Sequence, residues 1–399
     1  MSGKRLPRLC ILNIDGYPLY NPECKSSFGG AEVQCFLLAQ GLAETAKFDV
    51  HVIVKDHGQP NLENKSGVKV HPHSAYRSAV RVDGTFKTAL RWWTRRMWRA
   101  LVLRMHLMHT AYIGNYPVNL SQTAIYDEVD ADAYIARWNT KSVADMAFYC
   151  TQRGKPFIFL AAMNADYGQE CKDRPELRYV VEHAKLHVAQ TRYQSDLLHA
   201  NYGRSSVVIR SLIDLKQTFP KDLAADTILW IGKSHPVKHP EGIVNLAREL
   251  SEYRFILIMN RGEDAYSRKI QQMASALQNV SIIEQVPYPQ VEYYFATAKL
   301  FVNTSPDEGF PNTFLQAAKY GVPIVSYQVD PGEMISSHGA GLLCNCDFDR
   351  LKENVRFLME NPGRCAEIGV KGLAYVTNYH DRSRLVSDYE QAIMSALIT

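Results

Sequence analysis

Leu300-Phe301-Val302-Asn303-Thr304-Ser305-Pro306-Asp307-Glu308-Gly309-Phe310-Pro311-Asn312-Thr313-Phe314-Leu315-Gln316 runs from a buried strand through a polar loop into a helix. Pro311 suits the first turn of a helix, where the missing N–H would have no intrahelical partner, and Gly321 suits the position just past its end. A second apolar run, Pro323 to Ser326, follows at once. Strand, helix and strand at this spacing build a parallel sheet covered by helices. Ligands of such sheets bind outside the carboxyl ends of the strands, so the loop after Asn303 is where chemistry belongs. The free N–H groups at Asn312, Thr313 and Phe314 carry the positive end of the helix dipole and suit a diphosphate. Gly309 lets the main chain come close to a ligand. Glu308 is a poor phosphate contact but a good acceptor for sugar hydroxyls. The plainer alternative is a solvated carboxylate beside a helix start.

The same alternation extends outward in both directions. Strands are predicted at Thr227–Ile231, Phe255–Met259, Val280–Ile283, Leu300–Asn303 and Pro323–Ser326, with helices near 240–250, 264–277, 289–297 and 311–320. Upstream, strands are predicted at Leu9–Ile14, Val50–Val54, Ala133–Ala136, Pro156–Leu160, Leu186–Ala189 and Val207–Arg210. Two α/β domains follow, 1–214 and 227–381, joined by a polar linker at 215–226 that contains Pro220. A last helix, 382–397, repeats apolar residues at Leu385, Tyr389, Ala392 and Leu397 and should pack back on one of them, the amino-terminal domain being the expected seat. A chain of 399 residues is long enough for two separate cores.

Composition narrows the function classes. Apolar residues make up 46% and charged residues 22%, the balance of a globular protein, and no apolar run reaches the roughly 18 residues of a spanning helix. The start, Met1 to Arg8, lacks the longer apolar region of a secretion signal, which points to the cytoplasm. The eight cysteines are scattered; Cys344 and Cys346 have no second pair or histidine at zinc spacing, so reduced core thiols are expected. A net charge of +4 is too small to imply nucleic acid.

Two further loops stand out. Lys233 and Lys238 follow the strand that ends at Ile231, and two cations five residues apart can both reach one diphosphate, screening the charge on a leaving group. Taken alone, such lysines are most often solvated. Ser26-Ser27-Phe28-Gly29-Gly30-Ala31-Glu32 opens the helix 31–45, and the double glycine lets main chain approach a phosphate or serves only a tight turn.

Glu308-Gly309-Phe310-Pro311-Asn312 with Gln316-Ala317-Ala318 and Gly321-Val322-Pro323-Ile324-Val325 resembles the E-x(7)-E segment of retaining glycosyltransferases of family 4, along nearly the whole second half. The resemblance implies the GT-B architecture: two Rossmann-like, doubly wound domains facing across a cleft. It further implies transfer of a sugar from a UDP- or GDP-sugar co-substrate to an acceptor hydroxyl, without a permanent cofactor or a metal, in polysaccharide or glycoconjugate synthesis. By that resemblance Glu308 holds the donor sugar, Lys233 and Lys238 hold the diphosphate, and Gly309, Phe310, Asn312 and Thr313 line the phosphate. Gln316 stands where the second acid would hold the ribose; its carbonyl can still accept a hydrogen bond, but without charge. Gly29 and Gly30 match a glycine pair beside the donor diphosphate. Val286 lies in the loop that meets the nucleobase through main chain.

In the amino-terminal domain, expected to bind a saccharide or lipid-linked saccharide acceptor, Asp166 follows the strand Pro156–Leu160 and can orient or deprotonate an acceptor hydroxyl. An ordinary loop carboxylate is the competing reading. Many relatives carry a histidine near this point, and none stands here. The D-x-D pairs Asp130/Asp132 and Asp347/Asp349, like His71/His73 and His106/His109, lack supporting ligands for a metal. From 87 to 109, Arg91, Arg95 and Arg99 recur at helical spacing among Trp92, Trp93 and Trp98. That pattern fits peripheral contact with the inner membrane face, or an amphipathic helix with its arginines in water. A non-catalytic nucleotide-sugar-binding relative is the alternative function, and a dehydrogenase is disfavoured because the dinucleotide fingerprint is missing.

Overall fold

In the computed structural model, the described residues are 5–77, 111–118, 120, 123–216, 218–260, 264–284 and 286–398. The arginine and tryptophan segment 87–109, with His106 and His109, lies outside them. The chain divides into two compact units, Met1–Leu212 with Arg382–Thr399, and Ile213–Asp381. Both are α/β and each is built on a parallel sheet.

In the first unit the strands are β1 (Arg8–Leu12), β2 (Asp49–Asp56), β3 (Glu63–Lys65), β4 (Val68–Arg77), β7 (Ala133–Arg137), β8 (Phe157–Leu160), β9 (Leu186–Ala189) and β10 (Val207–Val208). A small antiparallel hairpin, β5 (Tyr112–Ile113) and β6 (Tyr116–Pro117), stands apart. The main sheet has the order β10-β9-β8-β7-β1-β2-β4-β3, parallel except where β3 pairs with β4. After β1 the chain builds outward on one side through β2 and β4, then returns to the other side of β1 as β7. The reversal makes the carboxyl ends of β1 and β7 a topological switch point.

Buried apolar side chains make this sheet. Leu9, Cys10, Ile11, Val52, Ile53, Tyr134 and Ile135 are all fully buried, as parallel strands covered on both faces require. β3, β4 and the hairpin were not predicted. β4 reads Val68-Lys69-Val70-His71-Pro72-His73, and its histidines and proline break the apolar run that marks a central strand. At the other end of the sheet, the run Val207–Arg210 forms strand only over its first two residues. The helix Arg382–Ile398 belongs to this unit and crosses helix Gly30–Glu44.

The second unit repeats the plan more cleanly. Its strands are β11 (Thr227–Lys233), β12 (Arg254–Asn260), β13 (Val280–Ile283), β14 (Ala298–Asn303), β15 (Ile324–Ser326) and β16 (Gly341–Leu343), in the order β13-β12-β11-β14-β15-β16 and all parallel. β16 was not predicted, because three residues carry too little pattern. Here the switch point lies between β11 and β14. The helix Asn312–Lys319 ends at Gly321, whose φ of 60° is left-handed, and Gly321 meets Gly369 of helix Pro362–Tyr379 so closely that a Cβ on Gly369 would lie 2.1 Å from the Gly321 carbonyl oxygen.

The stretch expected as a polar linker, 215–226, makes hydrogen bonds to the second unit. The Lys221 ammonium donates to the Phe295 and Ala298 carbonyls, the Asp222 N–H to the Ala296 carbonyl, and the Thr218 N–H to the Tyr320 hydroxyl at 3.1 Å. Lys221 and Asp222 thus find main-chain partners and Thr218 a phenol hydroxyl. Among the described residues, no helix is long and apolar enough to cross a membrane.

Candidate functional site

Two loops leave the second sheet at its switch point, one after β11 and one after β14, and their side chains meet. The Lys238 Nζ lies 2.6 Å from Glu308 Oε2. Asn303, the last residue of β14, donates from Nδ2 to Glu308 Oε1 at 3.1 Å. Both carboxylate oxygens are thus held, and the Glu308 side chain is only 12% exposed. A carboxylate so placed is fixed in direction before any ligand arrives.

A second set of bonds fixes the lysine loop. Buried Trp230 on β11 donates its indole N–H to Thr304 Oγ1 at 2.9 Å, and the Thr304 hydroxyl donates to the Lys238 carbonyl at 2.8 Å. The Gly232 Cα leans on the Trp230 ring, where a Cβ would come within 2.6 Å. His239, next along, holds a left-handed backbone with φ of 45° before the helix Pro240–Glu249 begins. Thr304 and Trp230 were missed from the sequence, because an apolar indole inside a strand looks like core. The spacing to Thr304 becomes meaningful only when β11 and β14 lie side by side.

The other expected residues divide. Lys233 closes β11 and is exposed. Gly309 is half-buried, and Asn312 and Thr313 form the first turn of the helix Asn312–Lys319 beyond Pro311. The Phe314 N–H, expected to face a phosphate, donates to the Pro311 carbonyl at 3.1 Å, which removes it from the free donors. Phe310 and Val286 share one apolar cluster with Phe314, so their side chains pack the core and only their main chain can serve a ligand. Gln316 is 6% exposed on the same helix.

At the first unit's switch point, Gly29 precedes helix Gly30–Glu44 with φ of −127° and ψ of −170°, extended backbone open to any residue. Its conformation does not demand glycine. The Gly29 N–H is already held by Glu32 Oε2 at 2.7 Å, so it is not a free phosphate donor in this state. Asp166, expected either to orient or deprotonate an acceptor hydroxyl or to be an ordinary loop carboxylate, is held by main chain. It is 3% exposed, and it accepts the Ala162 and Met163 N–H groups at 2.6 and 2.9 Å and the Asn139 N–H at 3.1 Å. Burial pushes its carboxyl above the usual carboxylate range, against the pull of these N–H donors and of Arg137. Such an acid ties the loop after β8 to the turn after β7.

The D-x-D pairs are also engaged locally. Asp132 accepts the Arg8 N–H at 2.7 Å, Asp130 pairs with Lys155, and Asp347 caps the helix Phe348–Glu360 by accepting the Arg350 N–H. His71 lies 2.8 Å from His51 across β4 and β2, and His51 faces Asp49 at 3.1 Å. Burial depresses both histidines, His71 to about 4.

Two sheets of this topology, with a charged pair at the second switch point, define the two-domain GT-B fold. Over 98% of both chains the structure is similar to a sucrose-phosphate synthase from Thermosynechococcus elongatus, at a TM-score of 0.73 and 13% identity. It is also similar to a variant of S. aureus TarM in complex with fondaparinux, alpha-GlcNAc-glycerol and UDP, at a TM-score of 0.57 and 13% identity, over 69% of this chain and 58% of that one. Residues 225–361 match the family model for glycosyl transferases group 1. An uncharacterized glycosyltransferase of Haemophilus influenzae is 22% identical over 213 residues, 50% of this chain and little more than half, 56%, of that relative. The family-model match lies within the second unit, and the structural neighbours show the two-domain GT-B fold.

Proposed function

We propose that this chain is a glycosyltransferase that moves a hexose-type unit from a UDP- or GDP-sugar to an acceptor hydroxyl, with retention at the anomeric carbon, in the manner of family 4. The observation that carries this reading is the meeting of Lys238 and Glu308 at the switch point of the second unit. A TarM neighbour holds UDP, which favours a nucleotide donor here as well.

In the proposed reaction the bond between the anomeric carbon and the diphosphate oxygen breaks, and its electron pair leaves with the diphosphate. Lys238 and Lys233 stabilise that charge together with the main chain at Gly309, Asn312 and Thr313. No bound metal or permanent cofactor takes part. Glu308 accepts hydrogen bonds from donor-sugar hydroxyls, and the arriving phosphate draws Lys238 from it. The acceptor oxygen forms the new bond to carbon. Because both Asp166 oxygens are engaged by main chain, the acceptor proton passes to the departing phosphate oxygen. Gln316 holds the ribose through its carbonyl, and the main chain at Val286 and Phe310 flanks the nucleotide. Gly29 and Gly30 add main-chain contacts once Glu32 releases the Gly29 N–H.

Gln316, uncharged where related enzymes carry an acid, favours as a second reading a relative that binds the donor without turning it over. A panel of UDP- and GDP-sugars tests both. Stabilisation against heat by one donor, with transfer or hydrolysis of it, supports the enzyme. Stabilisation without turnover supports the binder, and no response to any donor overturns both. Polysaccharide synthesis, a lipid-linked acceptor and membrane contact through 87–109 belong to the same proposal and are tested by vesicle co-sedimentation.

A further inference from the structure

We propose that the carboxyl end of β7, at Arg137 and Trp138, is a subsite for an acidic saccharide, a pyranose carrying a carboxylate or a phosphate. The proposal names a class of acceptor and for that role rests on the transferase reading; the subsite itself is a matter of binding.

Arg137 is the last residue of β7 and is 8% exposed. Among the described residues no carboxylate lies within ion-pair distance of it, and its Nε is buried without a hydrogen-bond partner. The guanidinium hydrogen-bonds the Tyr389 hydroxyl, and its charge also acts on the Cys35 thiol and on Asp166, whose two oxygens already hold three main-chain N–H groups. An arginine cannot shed its proton, and a buried guanidinium without an anion is an unfavourable arrangement that a bound carboxylate or phosphate would relieve. Its planar fork matches both of those groups.

Trp138 follows directly. Its φ is 67°, a region that bulky residues rarely adopt, and it is 44% exposed. The strained turn is held on both sides: the Trp138 N–H donates to the Leu160 carbonyl, and Asn139 is pinned by Asp166 and by the Leu177 carbonyl. Strain kept in place by its surroundings is characteristic of ligand sites. It presents a large aromatic face at the switch point between β1 and β7, where the apolar face of a sugar ring can lie on it. A guanidinium without an anion and a held-out indole, on consecutive residues, together call for a ring with a negative substituent.

Calorimetric titration of the full chain, without nucleotide sugar, uses glucuronate, glucose 6-phosphate, glucose and inorganic phosphate as probes. The expected result is that at least one acidic sugar binds about tenfold or more tightly than both glucose and phosphate, and the better of the two names the anion. Trp138→Gly, which suits a positive φ, should weaken that binding at least about fivefold without lowering the melting temperature. Arg137→Met should abolish the preference for acidic over neutral sugar. Equal binding of all four probes, no binding, phosphate alone matching the acidic sugars, or unchanged affinity in Trp138→Gly would each overturn the proposal. If Arg137→Met does not fold, the glycine variant still decides. Donor binding by UDP- and GDP-sugars, measured on the same samples, separates failure of this subsite from failure of the transferase reading.

Discussion

The two switch points of this molecule are built on the same topology and equipped in opposite ways. Between β11 and β14, charged side chains from two loops meet and face each other: Lys238 on Glu308, with Asn303, Thr304 and Trp230 behind them. Between β1 and β7, the charged groups are consumed by main chain. Asp166 caps three N–H groups, Glu32 folds back on Gly29, and what remains is an arginine without an anion and an exposed indole. Doubly wound topology supplies a place for a ligand, and the side chains that survive the demands of the loops decide which ligand.

The largest test of that contrast is Glu308→Gln. It keeps the shape and should cut transfer by about 1,000-fold, the scale of losing a directed polar contact in a transition state, with the melting temperature little changed. Wild-type turnover in this variant would remove Glu308 from the mechanism. Lys238→Ala should cost about 100-fold in kcat. Because it also strips Glu308 of its cation, thermal unfolding must be followed in parallel, and full activity in the folded variant would end the proposed role of Lys238.

Asp166→Asn asks whether the first switch point is structural as described. Stability should fall by about 2 kcal/mol as a main-chain donor loses its acceptor, while turnover per folded molecule stays within about threefold. A collapse in turnover with unchanged stability would instead make it a catalytic base. Thr304→Val removes both hydrogen bonds of the Trp230 relay and should lower kcat about tenfold, or about 1.4 kcal/mol, with Thr304→Ser restoring most of it. Equal rates in the valine and serine variants would show that the relay does not position Lys238.

The smallest effect at neutral pH belongs to the histidines of β2 and β4. His51 and His71 are depressed in the folded state, His71 to about 4, so between pH 6.5 and about 4 the unfolded chain binds protons that the folded chain does not. Stability should be flat above pH 7, fall as pH drops through that window, and lose no more from His71 below it. Replacing His71 by Phe should flatten the slope in denaturant titrations at pH 5 and 7; an unchanged slope would mean that burial there does not govern the titration.

Much of the second unit was legible in the sequence. The central strands β11 and β14 are runs such as Ile228-Leu229-Trp230 and Leu300-Phe301-Val302, buried on both faces and therefore continuously apolar. Lys238 and Glu308 could be picked out because each lies a few residues past such a run. β4 escaped because a proline and polar histidines occupy it, and 215–226 looked like a linker because main-chain partners for Lys221 and Asp222 lie more than seventy residues away. For Asp166 the sequence left an acceptor contact and an ordinary loop carboxylate open, and the Asn139 N–H that it accepts comes from the turn after β7, twenty-seven residues away.

By itself, then, the order of apolar runs, prolines and glycines determined that this chain forms two helix-covered parallel sheets with ligand loops at their strand ends, since those properties act within a few residues of one another. Which polar groups stay free at those ends was decided only by the tertiary structure. Hydrogen bonds saturate, and whether Glu308, Asp166 or Arg137 keeps an open atom depends on neighbours that sequence distance does not reveal.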